Sequence, residues 1–229
     1  MAIAYNTSVV RSGLVLHLDA ANPKSYPGSG TTWYDLSGNG NNGTLVNSPT
    51  FNTSGYFTFN GTNNYVTLAN TLAIAQSVYS STVEIIAYRN SLSGNLEVMF
   101  GGGTQAGNSG FYFGFRASTS NFMYAYYGND QDGVTPTTNV AWNSYTATYN
   151  AAQASRYRYF NSVLLSPSQS SGVTNTSSSN FAIGAYQTSP GVISNHFAGR
   201  IAAVRVYNRE LTSLEIQQNF NALRGRYGI

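Results

Sequence analysis

Closely spaced turn signals constrain the fold of this chain more than any other feature. Clusters of Gly, Asn, Ser, Thr and Pro recur from end to end, and the runs between them are short and either apolar or alternating. The clearest clusters occupy residues 27–32, 37–43, 101–110, 128–138, 166–180 and 187–195. Runs this short are typical of strands rather than helices, so the pattern predicts an all-β sandwich or jelly roll.

Alternation within the runs identifies the faces of individual strands. Phe111, Phe113 and Phe115 fall on one face of the run 110–117 and are predicted to point into the core, because side chains alternate along a strand. In the run 14–18, Leu residues alternate with Val15 and His17, which predicts a strand buried on both faces.

One helix is predicted, near the C-terminus. Thr212 can cap it, and Glu215 three residues later completes a capping box. Ile216, Phe220 and Leu223 then recur at helical spacing and form one apolar stripe. A helix this short needs packing partners, so we expect it on a sheet edge or at the end of the sandwich.

Composition excludes several classes of protein. Only 8% of residues are charged, so Ser, Thr, Asn, Gly and Tyr must build the polar surface, while 18 Tyr and 12 Phe supply large surfaces to bury. There is no Cys, which excludes disulfides and thiolate metal sites. The net charge of +3 comes from scattered residues, so we expect no nucleic-acid partner.

Export and membrane signals are also missing from the sequence. No apolar run approaches the length of a membrane-spanning helix, so no membrane insertion is expected. The N-terminus lacks the basic start and the apolar region of a secretory signal. We therefore expect synthesis in a host cytoplasm.

Four segments together resemble a known domain family. They are SGLVLHLDAA (12–21), TTWYDLSGNGNNGTL (31–45), GYFTFNGTNNYVTL (55–68) and the closing stretch 197–227, FAGRIAAVRVYNRELTSLEIQQNFNALRGRY. They resemble the laminin-G-like, concanavalin A-like jelly-roll domains, especially those of phage and bacterial surface proteins. The resemblance implies one antiparallel β-sandwich over residues 12–229, after an N-terminal arm of residues 1–11.

The motif residues have an architectural explanation. We expect Asp35 to accept hydrogen bonds from the following turn, Gly38, Gly40 and Gly43 to permit positive φ, and Asn60-Gly61 to form a tight turn. Basic residues near the end of the last strand are expected to pair with Asp19 or Asp35. The predicted structural set is Asp19, Asp35, Gly38, Gly40, Gly43, Asn60, Gly61, Arg205 and Tyr207.

Catalytic signatures are missing. Glucanases of the resembling fold carry E-x-D-x-x-E on one strand, and neither Glu84 nor Glu97 begins such a pattern. The two histidines, His17 and His196, are interpreted as structural or solvent-facing. We therefore expect no enzymatic activity, no cofactor and no metal. One alternative stays open: calcium near Asp130 and Asp132, where carboxylates and amides cluster beside Gly133.

An aromatic surface in the middle of the chain is the best functional lead. The candidate ligand or interface residues are Tyr124, Tyr126, Tyr157, Tyr159, Arg156 and Arg158. Tyr offers wide amphipathic contact to sugars and proteins alike. The alternative is that these rings simply cover the sheet.

Two functions are compatible with these features. The first is a non-enzymatic virion protein of a tailed phage (capsid decoration, head fibre or tail component) located on the particle. Its partners would be capsid or tail proteins, further copies of itself in a homo-oligomer, and host-surface glycans; its arm would add a strand to a neighbour. The alternative is a lectin-like carbohydrate-binding module, with or without calcium.

Overall fold

A computed structural model of the protein describes residues 8–68, 72, 79–90, 95–104, 110–117, 121–126, 129–132, 141–165, 169–170, 181–189 and 191–229. The strands up to residue 102 are β1 (Leu14–Asp19), β2 (Thr32–Trp33), β3 (Gly43–Val46), β4 (Thr50–Asn52), β5 (Tyr56–Asn60), β6 (Tyr65–Leu68), β7 (Ser81–Arg89) and β8 (Glu97–Gly102). The later strands are β9 (Phe111–Phe115), β10 (Phe122–Tyr126), β11 (Asn129–Asp132), β12 (Trp142–Asn150), β13 (Ser155–Phe160), β14 (Val163–Leu164), β15 (Gln169–Ser170), β16 (Ala182–Ile183), β17 (Tyr186–Ser189), β18 (Val192–Ser194) and β19 (Ala198–Tyr207). The helix α1 spans Ser213–Tyr227.

The strands form two sheets. Sheet A has nine strands in the order β14-β13-β12-β7-β19-β5-β4, with β1 also on β19 and β15 also on β13. Sheet B has ten strands in the order β11-β10-β9-β8-β16-β6-β3-β2, with β17 also on β8 and β18 on β17. Pairing is antiparallel except between β17 and β8. The predicted antiparallel sandwich with a C-terminal helix is confirmed.

Aromatic side chains fill much of the space between the sheets. Phe111, Phe113 and Phe115 are buried in the main core, as their alternation predicts. The ring of Phe115 in sheet B meets Tyr145 of sheet A edge to face, with ring centroids 5.3 Å apart. Edge-to-face rings add specific geometry to the burial of apolar area, and they join the two layers.

Strand β1 is less buried than its sequence predicts. Leu16 and Leu18 are fully buried, but Leu14, Val15 and His17 keep partial exposure. The ladder with β19 shifts register between Leu14 and Leu16. Such a bulge interrupts the alternation of faces, which explains why the prediction of burial on both faces was wrong.

Helix α1 begins as its sequence predicts. The Thr212 side chain accepts from the backbone of Glu215, the reciprocal bond is present, and Gly228 ends the helix in the left-handed region. In the described residues, no helix is long and apolar enough to cross a bilayer.

The helix lies on the outer face of sheet A, and not at an edge or at the end of the sandwich. Leu223 packs against Ile86 of β7 and against Ala202 and Ala203 of β19. The two small Ala side chains allow the helix to approach the middle of the sheet closely.

The acid sensitivity of this helix start is testable. Hydrogen bonds from Arg209, followed by bonds from Thr212, lower the pKa of Glu215 from 4.5 to about 2. A carboxyl group whose pKa is lower in the folded state than in the unfolded chain stabilises the fold fully at a pH above its ordinary pKa of 4.5. That contribution is lost as the pH falls from this value towards the folded-state pKa. We expect Glu215→Gln to reduce the free energy of unfolding at pH 7 by about 1 kcal/mol, because the pair is partly solvated. Urea titrations should show this difference shrinking below about pH 4; a difference independent of pH would contradict the ionic explanation.

The described end of the N-terminal arm is attached to the domain. The backbone N–H of Val10 donates to Asn219 Oδ1 of α1 at 2.8 Å, and the Tyr207 hydroxyl donates to the Val10 carbonyl at 3.1 Å. Asn219 and Tyr207 are both fully buried. Residues 1–7, on which the prediction of strand addition mainly rests, lie outside the described residues.

Candidate functional site

The loop after β2 is organised by one carboxylate. Asp35 Oδ1 accepts from the backbone N–H groups of His17 and Ser37, at 2.8 and 2.9 Å. Its Oδ2 accepts from the Ser37 hydroxyl at 2.7 Å and from Asn41 N at 3.0 Å. The carboxylate therefore fixes the loop against β1, in the architectural role expected for it.

Two of the three loop glycines have the predicted backbone conformation. Gly38 and Gly40 have φ of 91° and 72°, in the left-handed region. Gly43 does not, because it belongs to β3; a Cβ there would lie 2.5 Å from Val66 Cγ1. Close packing, rather than positive φ, explains that glycine.

The turn at Asn60-Gly61 forms as predicted. Asn60 Oδ1 accepts from the backbone N–H groups of residues 62, 63 and 64, at 2.9 to 3.2 Å. Gly61 has φ of 73°, which the turn requires.

Arg205 pairs with a different acid from those expected. Its Nε donates to Glu84 Oε2 at 3.0 Å, because the two residues stand directly opposite in the ladder between β19 and β7. Asp19 is bound instead by Arg226, at 2.8 Å. Asp35 is occupied by its own loop, so the predicted pairing of Arg205 with Asp19 or Asp35 was wrong.

Three of the six predicted ligand residues lie inside the sandwich. Tyr124, Arg156 and Arg158 are each 1% exposed. Arg156 donates to the Tyr124 carbonyl, and Arg158 donates to that of Phe122. These arginines therefore join sheet A to sheet B, and the prediction that they form an outward surface is corrected. Backbone carbonyl groups of sheet B solvate these charges. Alternation within a single strand cannot predict a contact of this kind, because it depends on how the two sheets pack.

The other three predicted residues are placed differently. Tyr126 pairs with Phe111 in the sheet B ladder, and its side chain lies outside the described residues. Tyr157 and Tyr159 point to the outer face of sheet A, opposite to Arg156 and Arg158. Tyr157 is partly exposed, whereas Tyr159 is 6% exposed. Both of these tyrosines line a surface recess.

That recess, which we call the hairpin cleft, lies between the β12–β13 hairpin and the start of α1. Its volume is about 410 Å³. It is lined by Asn150, Gln153, Tyr157, Tyr159, Leu164, Glu210, Leu211, Thr212 and Ser213. Polar side chains make up five of these nine residues, and two tyrosines and two leucines make up the rest.

The polar groups of the hairpin cleft are held in place by one another. Asn150 Nδ2 donates to Glu210 Oε2 at 2.6 Å, and the Thr148 hydroxyl lies 3.4 Å from Glu210 Oε1. The hydroxyl groups of Tyr159 and Ser213 are 3.4 Å apart. Each carboxylate oxygen can accept more than one hydrogen bond, so Glu210 keeps capacity for a ligand hydroxyl.

Electrostatics keep the Tyr159 hydroxyl protonated. Burial raises its pKa, and the negative charge of Glu210 adds to that rise, while the bond with Ser213 opposes it. The cleft therefore presents one carboxylate acceptor beside neutral hydroxyl and amide groups at physiological pH.

Most lining residues of the cleft were missed at the sequence level. Alternation places Tyr157 and Tyr159 on one face, but Glu210 and Ser213 come from the β19–α1 connection, far along the chain. The sequence does indicate that the β19–α1 connection lies between the last strand and a capped helix, but it does not indicate which strand the connection covers. Its position over β13 depends on how α1 packs.

The acidic cluster near Gly133 is partly a strand. Asn129–Asp132 form β11, and Asp130 makes an ion pair with Arg116. Gly133 and the side chain of Asp132 lie outside the described residues. Among the residues that the structure does describe, no group of three or more His, Asp or Glu is placed to hold a metal ion.

Solved structures with a similar fold come from several larger proteins. The botulinum neurotoxin serotype D binding domain has a TM-score of 0.65 at 13% identity, over 92% of this chain and 52% of that one. Trypanosoma rangeli sialidase in complex with 2,3-difluorosialic acid has a TM-score of 0.67 at 17% identity, and the alignment covers 93% of this chain and 33% of that one. A third structure is domain 4 of AbnA, a GH43 extracellular arabinanase from Geobacillus stearothermophilus, in complex with arabinotriose. Its TM-score is 0.59 at 18% identity, and the alignment covers 92% of this chain and 98% of that one. This chain thus spans about half of the neurotoxin domain, and these likenesses show the fold alone.

The sequence itself matches a protein family. No curated protein matches the chain. Residues 60–217, more than half of the chain, match Laminin_G_3, the concanavalin A-like lectin/glucanases superfamily. With the two-sheet sandwich and the closing helix, this match identifies the chain as a member of that superfamily.

Proposed function

We propose that the protein is a non-catalytic carbohydrate-binding domain whose sugar site is the hairpin cleft. The observation that carries this proposal is the combination of a partly exposed Tyr157 ring with the oriented Glu210 and Asn150 side chains. A pyranose or furanose ring offers an apolar C–H face to an aromatic ring and hydroxyl groups to carboxylate and amide partners.

Neighbouring folds support a sugar as the ligand. The AbnA domain 4 structure contains arabinotriose, and that domain aligns over 98% of its own length. The family description names lectins as well as glucanases. Both facts favour saccharides over other polar ligands for this cleft.

The carboxylate count of the cleft supports binding without hydrolysis. Glycosidases use two carboxyl groups on either side of the scissile bond. Within the described residues, Glu210 is the one carboxylate that lines the hairpin cleft. A glycosidase of this two-carboxylate kind would need a second carboxylate there.

Oligosaccharide binding by single-residue variants tests the proposal. We expect one member of a panel of neutral pentose and hexose oligosaccharides to bind, and Tyr157→Ala to weaken it at least about tenfold by loss of ring contact. Tyr157→Phe should retain most of the affinity. Isothermal titration calorimetry measures both effects.

Tyr34 provides the control for this test, because it is 46% exposed and lies outside the cleft. Tyr34→Ala should bind as the wild type does. Equal affinity of the wild type and Tyr157→Ala would remove the cleft as the site. Release of reducing sugar by the wild type would contradict the non-catalytic role.

We also propose that the domain acts on a phage particle, through contacts with neighbouring proteins. The observation that favours protein contacts is β14, at the end of the described order of sheet A, where Val163 and Leu164 are 66% and 45% exposed. Strands at sheet ends can pair with another chain. Gold-labelled antibody on purified particles should mark head or tail, and unlabelled particles would contradict this role.

A further inference from the structure

A second recess lies between the N-terminal segment, β1 and the loops that follow β1 and β2. Its volume is about 430 Å³. We call it the basic pocket; it is lined by Val9, Arg11, Leu14, His17, Asn22, Lys24, Leu36 and Ser37. None of these residues belongs to the hairpin cleft.

The charged side chains of the basic pocket are all of one sign. Arg11 and Lys24 are exposed at its rim, and His17 forms part of its wall. In the described part of the chain, neither Arg11 nor Lys24 makes a side-chain ion pair. Two cations that share one concave surface reinforce each other's potential, because the low-dielectric walls concentrate the field.

Nearby carboxylates offset this potential only in part. Asp35 brings one negative charge near His17 and Ser37, and its four hydrogen bonds come from neutral groups of β1 and of its own loop. Arg226 Nη1 donates to both carboxylate oxygens of Asp19, each at 2.8 Å. The third cation near His17, Arg205, is paired with Glu84. The Arg226–Asp19 and Arg205–Glu84 pairs are each neutral overall, so the single charge of Asp35 opposes the two of Arg11 and Lys24, and the net charge around the pocket stays positive.

The remaining lining is amphipathic. Leu14, Leu36 and Val9 supply apolar surface, while Asn22 and Ser37 supply amide and hydroxyl groups. Asn22 Oδ1 is occupied by the backbone N–H of Lys24 at 3.0 Å, which fixes the amide beside that cation. Such a lining suits a polar ring with one attached anionic group better than a bare ion.

We propose that the basic pocket binds an acidic saccharide, with Arg11 and Lys24 contacting its carboxylate or sulfate group. The choice of an anion follows from the charges of the pocket alone. The choice of a saccharide rests on the proposed function. The chain would then hold two sugar subsites of different charge, one neutral and one acidic.

Calorimetric titration of the full chain at low ionic strength tests this proposal with three probes. They are a disaccharide that ends in glucuronic acid, the matching disaccharide that ends in glucose, and inorganic phosphate. The variants are Arg11→Gln, Lys24→Gln and the double variant. Arg224→Gln is the matched control. Arg224 is exposed on α1, so this substitution removes one positive charge at a site outside the pocket.

We expect the glucuronic acid probe to bind the wild type and to lose about tenfold in affinity in each single variant, the size expected for one charge-assisted hydrogen bond. The double variant should lose more, and added salt should weaken binding. The glucose probe should give no response that depends on Arg11 or Lys24.

Several outcomes would overturn the inference. Unchanged binding in the double variant excludes the pocket, and an equal loss in Arg224→Gln indicates diffuse attraction only. Phosphate that binds as tightly as the acidic disaccharide indicates a site for free anions. Tyr157→Ala separates the two proposals, because it should spare the acidic probe and weaken only the neutral oligosaccharide. If the Arg11 and Lys24 variants lose the acidic probe while Tyr157→Ala leaves neutral oligosaccharide binding unchanged, this inference stands and the hairpin cleft is removed as a sugar site.

Discussion

Replacing Arg205 by Met is expected to lower the free energy of unfolding by about 3–5 kcal/mol. Arg205 and Glu84 are 1% and 2% exposed, and the pair is the centre of a buried network that also includes Asn219. Burial raises the pKa of Glu84, and Arg205 opposes that rise. Without the guanidinium, the carboxylate must remain charged and unpaired or take up a proton, and both cost free energy.

Urea denaturation of matched variants measures this effect. Arg209→Met is the control, because Arg209 also binds a carboxylate, that of Glu215, but the two side chains are 29% and 27% exposed. We expect the control to lose about 1 kcal/mol or less. The double variant Glu84→Gln/Arg205→Met should recover part of the loss, because it removes both charges together. A loss below about 1 kcal/mol in Arg205→Met would contradict the structural role of the pair.

Lowering the pH from 7 to 4 is expected to destabilise the protein through His17 by roughly 2–3 kcal/mol. Burial, followed by the positive charge of Arg205, lowers the pKa of His17 from 6.5 to about 4. Between these values the unfolded chain binds the proton and the folded chain does not, so stability falls as the pH falls. Consistent with a neutral ring, His17 Nε2 is buried without a hydrogen-bond partner.

Thermal or urea unfolding across this pH range should show the difference in a buffer without phosphate or sulfate. His17→Gln should lose much less stability than the wild type between pH 7 and 4. The control is His196→Gln, whose side chain is less buried, although burial lowers its pKa as well. A pH dependence that persists unchanged in His17→Gln would show that other groups cause it.

Local rules predict much of this fold because they act over a few residues. The capping box at Thr212, the turn at Asn60-Gly61 and the core face of Phe111 all depend on neighbours in sequence. The two-sheet architecture follows from many short alternating runs between turns. These features were available from the sequence because spacing along the chain determines them.

Residues whose roles depend on packing between distant segments were harder to predict. Arg156 and Arg158 alternate with Tyr157 and Tyr159, but alternation does not say which face is inside. All four are therefore predicted to lie on a candidate ligand surface. The structure keeps the tyrosines on the outer face, near α1, but it buries the arginines, whose charges are solvated by carbonyl groups of sheet B.

The candidate site was likewise only half visible in the sequence. Tyr157 could be identified as an aromatic contact, whereas Glu210 gains its position from the fold of the β19–α1 connection over β12. Similarly, Arg11 and Lys24 share a pocket only because the loop after β1 returns to the N-terminal segment.

The most direct test of the central claim is to map the bound oligosaccharide by NMR chemical-shift perturbation on the full chain. The best neutral ligand from the panel should perturb amides of the hairpin cleft, around Tyr157, Glu210 and Ser213, and Tyr157→Ala should abolish these changes at the same ligand concentration. Perturbations confined to any other surface, with the cleft amides unmoved, would contradict a sugar site at the hairpin cleft.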